Sequence, residues 1–127
     1  MASELRVNTL KDASGNNSIA TSFVAGGVAK SHVLHDASGT VKKSLNISSV
    51  TDSGTGDFRP VFATVMADTN YNMLNQEEIT ISTAAVIAAY DLSLKTASTV
   101  RIYTFRADNG SNVDITELSS GVWGDLA

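Results

Sequence analysis

Apolar and polar residues alternate over short stretches along most of this chain, the period-two pattern of half-buried β-strands. The clearest stretch is residues 99–107, where Val100, Ile102 and Thr104 fall on one face and Arg101, Tyr103 and Phe105 on the other. Both faces carry large groups, so cover on both sides is expected for this strand. Further strands are predicted at 29–35, 41–50, 58–66, 70–74, 78–82 and 113–118, with a last one at 122–126. Pro60, the only proline, lies inside a predicted strand and implies a sheet edge or a bulge there. Residues 83–90 fit two patterns. Their alanines favour a short helix, with Val86, Ile87 and Tyr90 on one side, whereas the preceding Ile79-Thr80-Ile81-Ser82 continues as strand.

The strands are separated by turn chemistry. Thr51-Asp52-Ser53-Gly54-Thr55-Gly56-Asp57 joins two of them as a hairpin, and Asp108-Asn109-Gly110-Ser111 offers an Asn-Gly pair that accepts positive φ. Asp-Ala-Ser-Gly occurs at 12–15 and again at 36–39 with unrelated flanks, which reads as one turn used twice and not as a repeat architecture. Seven or so strands with short connections predict an all-β fold, an antiparallel β-sandwich of jelly-roll-like kind spanning residues 28–127.

Residues 1–27 differ. Leu5, Val7, Leu10, Ile19, Phe23 and Val24 are their only large apolar groups besides Met1, too few for a core. Short strands are expected near residues 5–9 and 19–24, and Ala25-Gly26-Gly27 marks a boundary. This segment is expected to be an extended N-terminal arm that orders against a neighbour.

Of the 127 residues, 47 are Ser, Thr, Asn or Gly, a composition that suits many turns between Val- and Ile-bearing strands. A net charge of -4, with no basic run longer than Lys42-Lys43, argues against nucleic acid as a partner. The chain has no cysteine, which removes disulfides and thiol chemistry. No signal peptide is visible and no apolar run approaches the ~20 residues that cross a bilayer. A chain made in the cytosol and left soluble, or joined to an assembly, is expected.

Candidate chemistry is sparse. His32 and His35 are i and i+3 on a strand and point to opposite faces, so they cannot share a metal without a bulge. Glu77 and Glu78, with Asp68 or Asp91, lack the paired geometry and the aromatic platform of a glycosidase. Asp52, Asp57 and Asp108 sit in Gly-rich turns, where such residues usually bond their own backbone, and their spacing is not that of an EF-hand loop. Gly54-Thr55-Gly56 opens no helix and is no dinucleotide fingerprint. Trp123, in Gly121-Val122-Trp123-Gly124, reads either as a core or capping residue or as an interface anchor. No catalytic, cofactor-binding or metal-binding residue is assigned, and enzyme activity is not expected.

Two parts of the chain resemble a known family. The opening Ser3-Glu4-Leu5-Arg6-Val7-Asn8-Thr9-Leu10 is similar to the start of many phage fibre-like proteins. The centre carries Ala29, Lys30 and Val33, then Thr51-Asp52-x-Gly54-Thr55-Gly56-Asp57-Phe58, then Met66-x-Asp68-x-Asn70-Tyr71. This series resembles tail-fibre-like virion proteins of bacteriophages, especially marine phages and cyanophages. It departs at His32, where the family usually has Trp, and at Arg59-Pro60. The resemblance implies a structural role in the virion, assembled in the host cytoplasm, with homotrimeric assembly and other virion proteins as partners. On that basis the expected function is a tail fibre or tail-associated adhesin that meets a host surface glycan or protein through the loops at 37–40, 52–57 and 108–112. The alternative is a capsid decoration or cement protein that stabilises the phage head.

Overall fold

In a computed structural model the chain is described over residues 6–15, 18–78 and 85–127. In order, the elements are β1 (Thr9–Lys11), β2 (Ser18–Ala20), α1 (Thr21–Gly27), β3 (Ser31–Asp36), β4 (Val41–Leu45), β5 (Ile47–Gly54), β6 (Asp57–Phe62), β7 (Asn72–Glu78), β8 (Val86–Tyr90), β9 (Ile102–Arg106) and β10 (Glu117–Trp123), with a 3-10 turn at Leu92–Leu94. β1 and β2 pair only with each other, and the other strands fill two four-stranded sheets, ordered β4-β3-β10-β7 and β5-β6-β9-β8. Each strand pairing is antiparallel. Phe58 and Phe62 of β6, Ile102 of β9, Met73 of β7, and Leu118 and Val122 of β10 meet in one core between the sheets. The fold is therefore the all-β, antiparallel sandwich that the alternation predicts.

The pleat decides what enters the core. In β3, Ser31, Val33 and His35 are buried while His32, Leu34 and Asp36 are half-buried on the outer face. In β10, Leu118, Ser120 and Val122 point inward. In β9, Ile102 and Thr104 are buried, and Tyr103, Phe105 and Arg106 are half-buried. The second face of that strand is thus covered in part.

Four local expectations are corrected. The predicted strand at 41–50 breaks at Asn46, whose φ of 55° is left-handed. Asn tolerates that region better than most residues. Its side chain holds Thr64 from both sides, accepting from the amide at 2.6 Å and donating to the carbonyl at 3.0 Å. The bend carries the chain from one sheet to the other, as strands do at sandwich corners. Of the edge or bulge expected at Pro60, the edge is absent, since β6 pairs with both β5 and β9, but the β5–β6 register does shift beside it, between Ile47 and Ser49. The Pro60 carbonyl still accepts from Val100 N, but proline has no N–H to return, and the β6–β9 pairing falls to a lone bridge at Val61 and Thr99.

Residues 86–90 are strand, paired with β9 from Val86–Arg106 to Tyr90–Ile102. Val86, Ala88 and Tyr90 turn to the core, so packing overrides the helix preference of alanine. Residues 79–82, most of one predicted strand, and 83–84 lie outside the described residues. The strands expected at 113–118 and 122–126 are one strand, β10, running through Ser119-Ser120-Gly121. Small polar residues suggest a turn, but Ser120 Oγ bonds Asn75 Oδ1 at 2.7 Å across the sheet.

In the N-terminal segment, β2 ends at Ala20 and residues 21–27 turn into α1, where a strand through Val24 was expected. β1 offers only three residues to pair with. Beyond them, a helix satisfies its backbone groups internally. No residue of β1, β2 or α1 is buried. The segment joins the sandwich at its root, where Lys30 N donates to Val122 O at 2.8 Å and Trp123 Nε1 to Gly27 O at 3.2 Å.

Candidate functional site

The strand directions sort the connections into two groups. β3 starts at the arm and ends at Asp36, β5 ends at Gly54, β9 ends at Arg106 and β10 begins at Glu117. The loops at 37–40, 52–57 and 108–112 consequently gather at one end of the sandwich, opposite the arm. The first two touch: a Cβ built on Gly39 would lie 3.2 Å from Val50 O and 3.3 Å from Asp52 N. The hairpin tip at Gly56 in turn abuts the segment after the 108–112 loop, with Gly56 N donating to Asp114 Oδ1 at 2.7 Å.

Each loop is held by its own aspartate. At 36–39, Asp36 Oδ1 accepts from Ser38 N at 2.9 Å, Ser38 Oγ at 2.7 Å and Thr40 N at 3.0 Å. The Ser38 hydroxyl bond, foremost, holds the Asp36 carboxyl below its ordinary range. The arm's Asp12–Gly15 turn repeats the device, with Gly15 N on Asp12 O at 3.0 Å and Ser14 Oγ on Asp12 Oδ1 at 2.9 Å. Gly15 and Gly39 take φ of 71° and 74°, so the shared tetrapeptide is one turn used twice. Asp52 Oδ1 accepts from Gly54 N at 3.0 Å. Arg106 grips Asp108 with two bonds of 3.2 Å, which also lowers the pKa of that carboxyl.

Asp57 is different. It is 6% exposed and receives Arg101 Nε at 2.7 Å on one oxygen and Arg101 Nη2 on the other. This bidentate bond, more than charge alone, pushes the Asp57 pKa down and the Arg101 pKa up. The pair ties the tip end of the β5–β6 hairpin to the residue before β9.

The histidines diverge as strand geometry requires. His32 sits on the outer face. His35 is fully buried, with Nδ1 donating to Asp36 O at 2.8 Å and its ring centroid 4.8 Å from that of Phe58. Burial pushes its pKa below 6.5. Glu77 and Glu78 also lie on opposite faces of β7, in line with Leu118 and Glu117 of β10. Asp68 accepts from Asn70 N at 2.6 Å and Asp91 from Ser93 N at 2.8 Å, so both act as turn caps. Among the described residues no group of three or more His, Asp or Glu is placed to hold a metal ion.

The loop end is thus a rigid surface of hydroxyls, amides and held carboxylates. Such groups can hydrogen-bond a partner. Trp123 belongs elsewhere and is not in the core. It lies half-exposed on the outer face of the β4-β3-β10-β7 sheet, its ring over Gly121, where an added Cβ would come within 2.8 Å of it. The spacing of Gly121 and Trp123 carried that information, since i and i+2 of a strand share a face. No family model, curated protein or solved structure matches this chain.

Proposed function

We propose that the chain is a non-enzymatic structural protein of a phage virion, a tail-fibre or tail-associated subunit. In this reading the N-terminal segment attaches it to the particle and the loop end of the sandwich faces a host surface. The observation that carries it is the polarity of the molecule. An arm with no buried side chain among its described residues leaves one end, and the loops at 37–40, 52–57 and 108–112 gather at the other. Loops on a rigid scaffold are where binding residues concentrate, and several linked copies multiply weak contacts. The virion setting rests on the sequence resemblance.

Gold-antibody labelling of intact parent particles in the electron microscope tests it. Label on the tail is the expected result. Label spread over the head would replace adhesion with capsid decoration, and particles without label would remove the virion reading.

A further inference from the structure

His35 is the last inward-facing residue of β3, and its imidazole lies directly beneath the loop end. Phe58 of β6, stacked on it, and Leu118 of β10, beside it in the sheet, are each one residue from that same end of their strands. The ring is 0% exposed. Asp36 O accepts twice, from His35 Nδ1 at 2.8 Å and from Gly39 N at 3.0 Å, so ring and turn meet at a single carbonyl. Gly39 in turn lies against Val50 O and Asp52 N of β5. Nε2 is buried and meets no hydrogen-bonding partner among the described residues. A proton added there would bury a charge and a donor with nothing to receive them, which a dry site penalises heavily.

Two routes would bring water to Nε2. One parts Phe58 from Leu118, both fully buried, and opens the core. The other lifts residues 37–40. That turn is bonded chiefly to Asp36 itself. The β3–β4 register also slips between Leu34 and His35, which leaves His35–Val41 as the one pair beyond the irregularity. The turn is therefore the more weakly tied cover, and local openings follow such ties. The charges that face the ring are Asp36 of its own strand and Asp52 of β5, and neither bonds Nε2. Those on the other packed strands are engaged elsewhere: Lys42 of β4 with Glu117 of β10, Asp57 of β6 with Arg101, and Arg106 of β9 with Asp108. Lys43 and Arg59, opposite Leu34 and Thr51, lie on the outer faces of their sheets.

We propose that residues 37–40 form an acid-opened flap over His35. In mild acid a solvent proton binds Nε2, the charged ring takes up water, and the flap lifts from Val50 and Asp52, parting two of the three loops. At neutral pH the ring is uncharged and the flap stays shut. The direction follows from linkage: burial keeps the ring neutral in the closed form, and the open form is the one that gains the proton. The inference names a regulation of the loop end and rests, for its use, on the recognition reading above. The flap itself belongs to the isolated chain. Particles without label would leave it standing, and a flap that fails the test below would leave the particle reading standing.

Native-state hydrogen exchange, followed by NMR at pH 7.5 and 5.5 and corrected for intrinsic exchange, tests it. The isolated His32→Gln chain is used, which leaves His35 as the only imidazole. The expected result at the lower pH is a loss of protection at Gly39 N and Asp36 N, whose bonds to Asp36 O and Thr40 O close the turn. Lys30, Phe62 and Met66 N, bonded at the arm end, should keep their protection. Asp36, held below its ordinary range, stays ionised over this interval, so the turn's own carboxylate does not cause the change. His35→Gln retains a side-chain N–H for Asp36 O and has no proton to gain, so its protection at Gly39 should be equal at the two pH values. His35→Leu serves the same purpose should the glutamine chain fail to fold. Unchanged protection at Gly39 in the parent, an equal loss at the arm end, or the same loss in the His35 variants would overturn the proposal.

Discussion

His35 of β3 and Phe58 of β6 meet face to tilted face across the two sheets, centroids 4.8 Å apart and planes at 54°. Nδ1 carries the proton, because it donates to the Asp36 carbonyl, and Nε2 is buried without a partner. The core therefore contains a neutral imidazole. Burial lowers its pKa, and the nearby Asp36 and Asp52 carboxylates only partly oppose this. The unfolded chain takes up a proton near pH 6.5 and the folded one does not, so this group costs no stability above that pH and an increasing amount below it. The loss grows as pH falls below 6.5, until the folded imidazole itself takes up a proton. Denaturant titrations of the native chain and His35→Leu at pH 7.5 and 5.5 should show that fall in the first and not in the second.

Arg101 makes the opposite contribution at the Asp57 carboxylate. Its removal takes the bidentate partner from a carboxylate that is 6% exposed, so Arg101→Met is expected to lower the unfolding midpoint at pH 7. The Asp57 pKa is depressed in the folded state. The stability from the pair is present above about pH 4 and is lost as pH falls through the lower folded value. Thermal melts of the two chains should therefore converge in acid. A gap that stayed constant down to pH 2 would assign the loss to packing instead.

Gly56 and Gly110 have nearly the same backbone, with φ of 62° and 71°, and different surroundings. A Cβ on Gly56 would sit 2.3 Å from Thr104 O and 2.8 Å from Val113 O, whereas one on Gly110 meets nothing within 4 Å. Gly110→Ala should cost about 1 kcal/mol, the left-handed penalty alone. Gly56→Ala should cost about 3 kcal/mol or more, because backbone must move. Equal shifts in unfolding midpoint would rule out this account.

Asn46 tests the corner between the sheets. Asn46→Gly keeps the left-handed backbone and loses the two bonds to Thr64, an expected cost of about 1 kcal/mol. Asn46→Ala loses both and should cost about 2–3 kcal/mol. The order of the two variants in chemical denaturation is the readout, and alanine equal to glycine would mean that the bend carries no strain.

Much of the sandwich was legible because each buried strand solves the same local problem. Val100, Ile102 and Thr104 alternate with polar or bulky neighbours, and only the pleat places them together. The turns were legible for the same reason: Asp36 and Gly39 close their loop with atoms three residues apart. What failed depended on neighbours. Pro60 signals an edge only if nothing else holds both sides of β6, and Ser119-Ser120-Gly121 signals a turn only if no Asn75 waits on the adjacent strand. The arm helix was missed because its strand-like residues outrun the partner that would have made them a strand.

The amino-acid sequence by itself determined the local periods, the turn residues and hence the all-β class, since these arise from contacts within a few residues. It also separated a core-poor N-terminal segment from the body. The tertiary structure alone decided that the three polar loops share one end, that Asp57 finds Arg101, that His35 is sealed against Phe58, and that Trp123 lies outside the core beside Leu74. Those outcomes depend on strand order and register. A shift of one residue would turn every one of these side chains to the opposite face, and no window along the chain contains that choice.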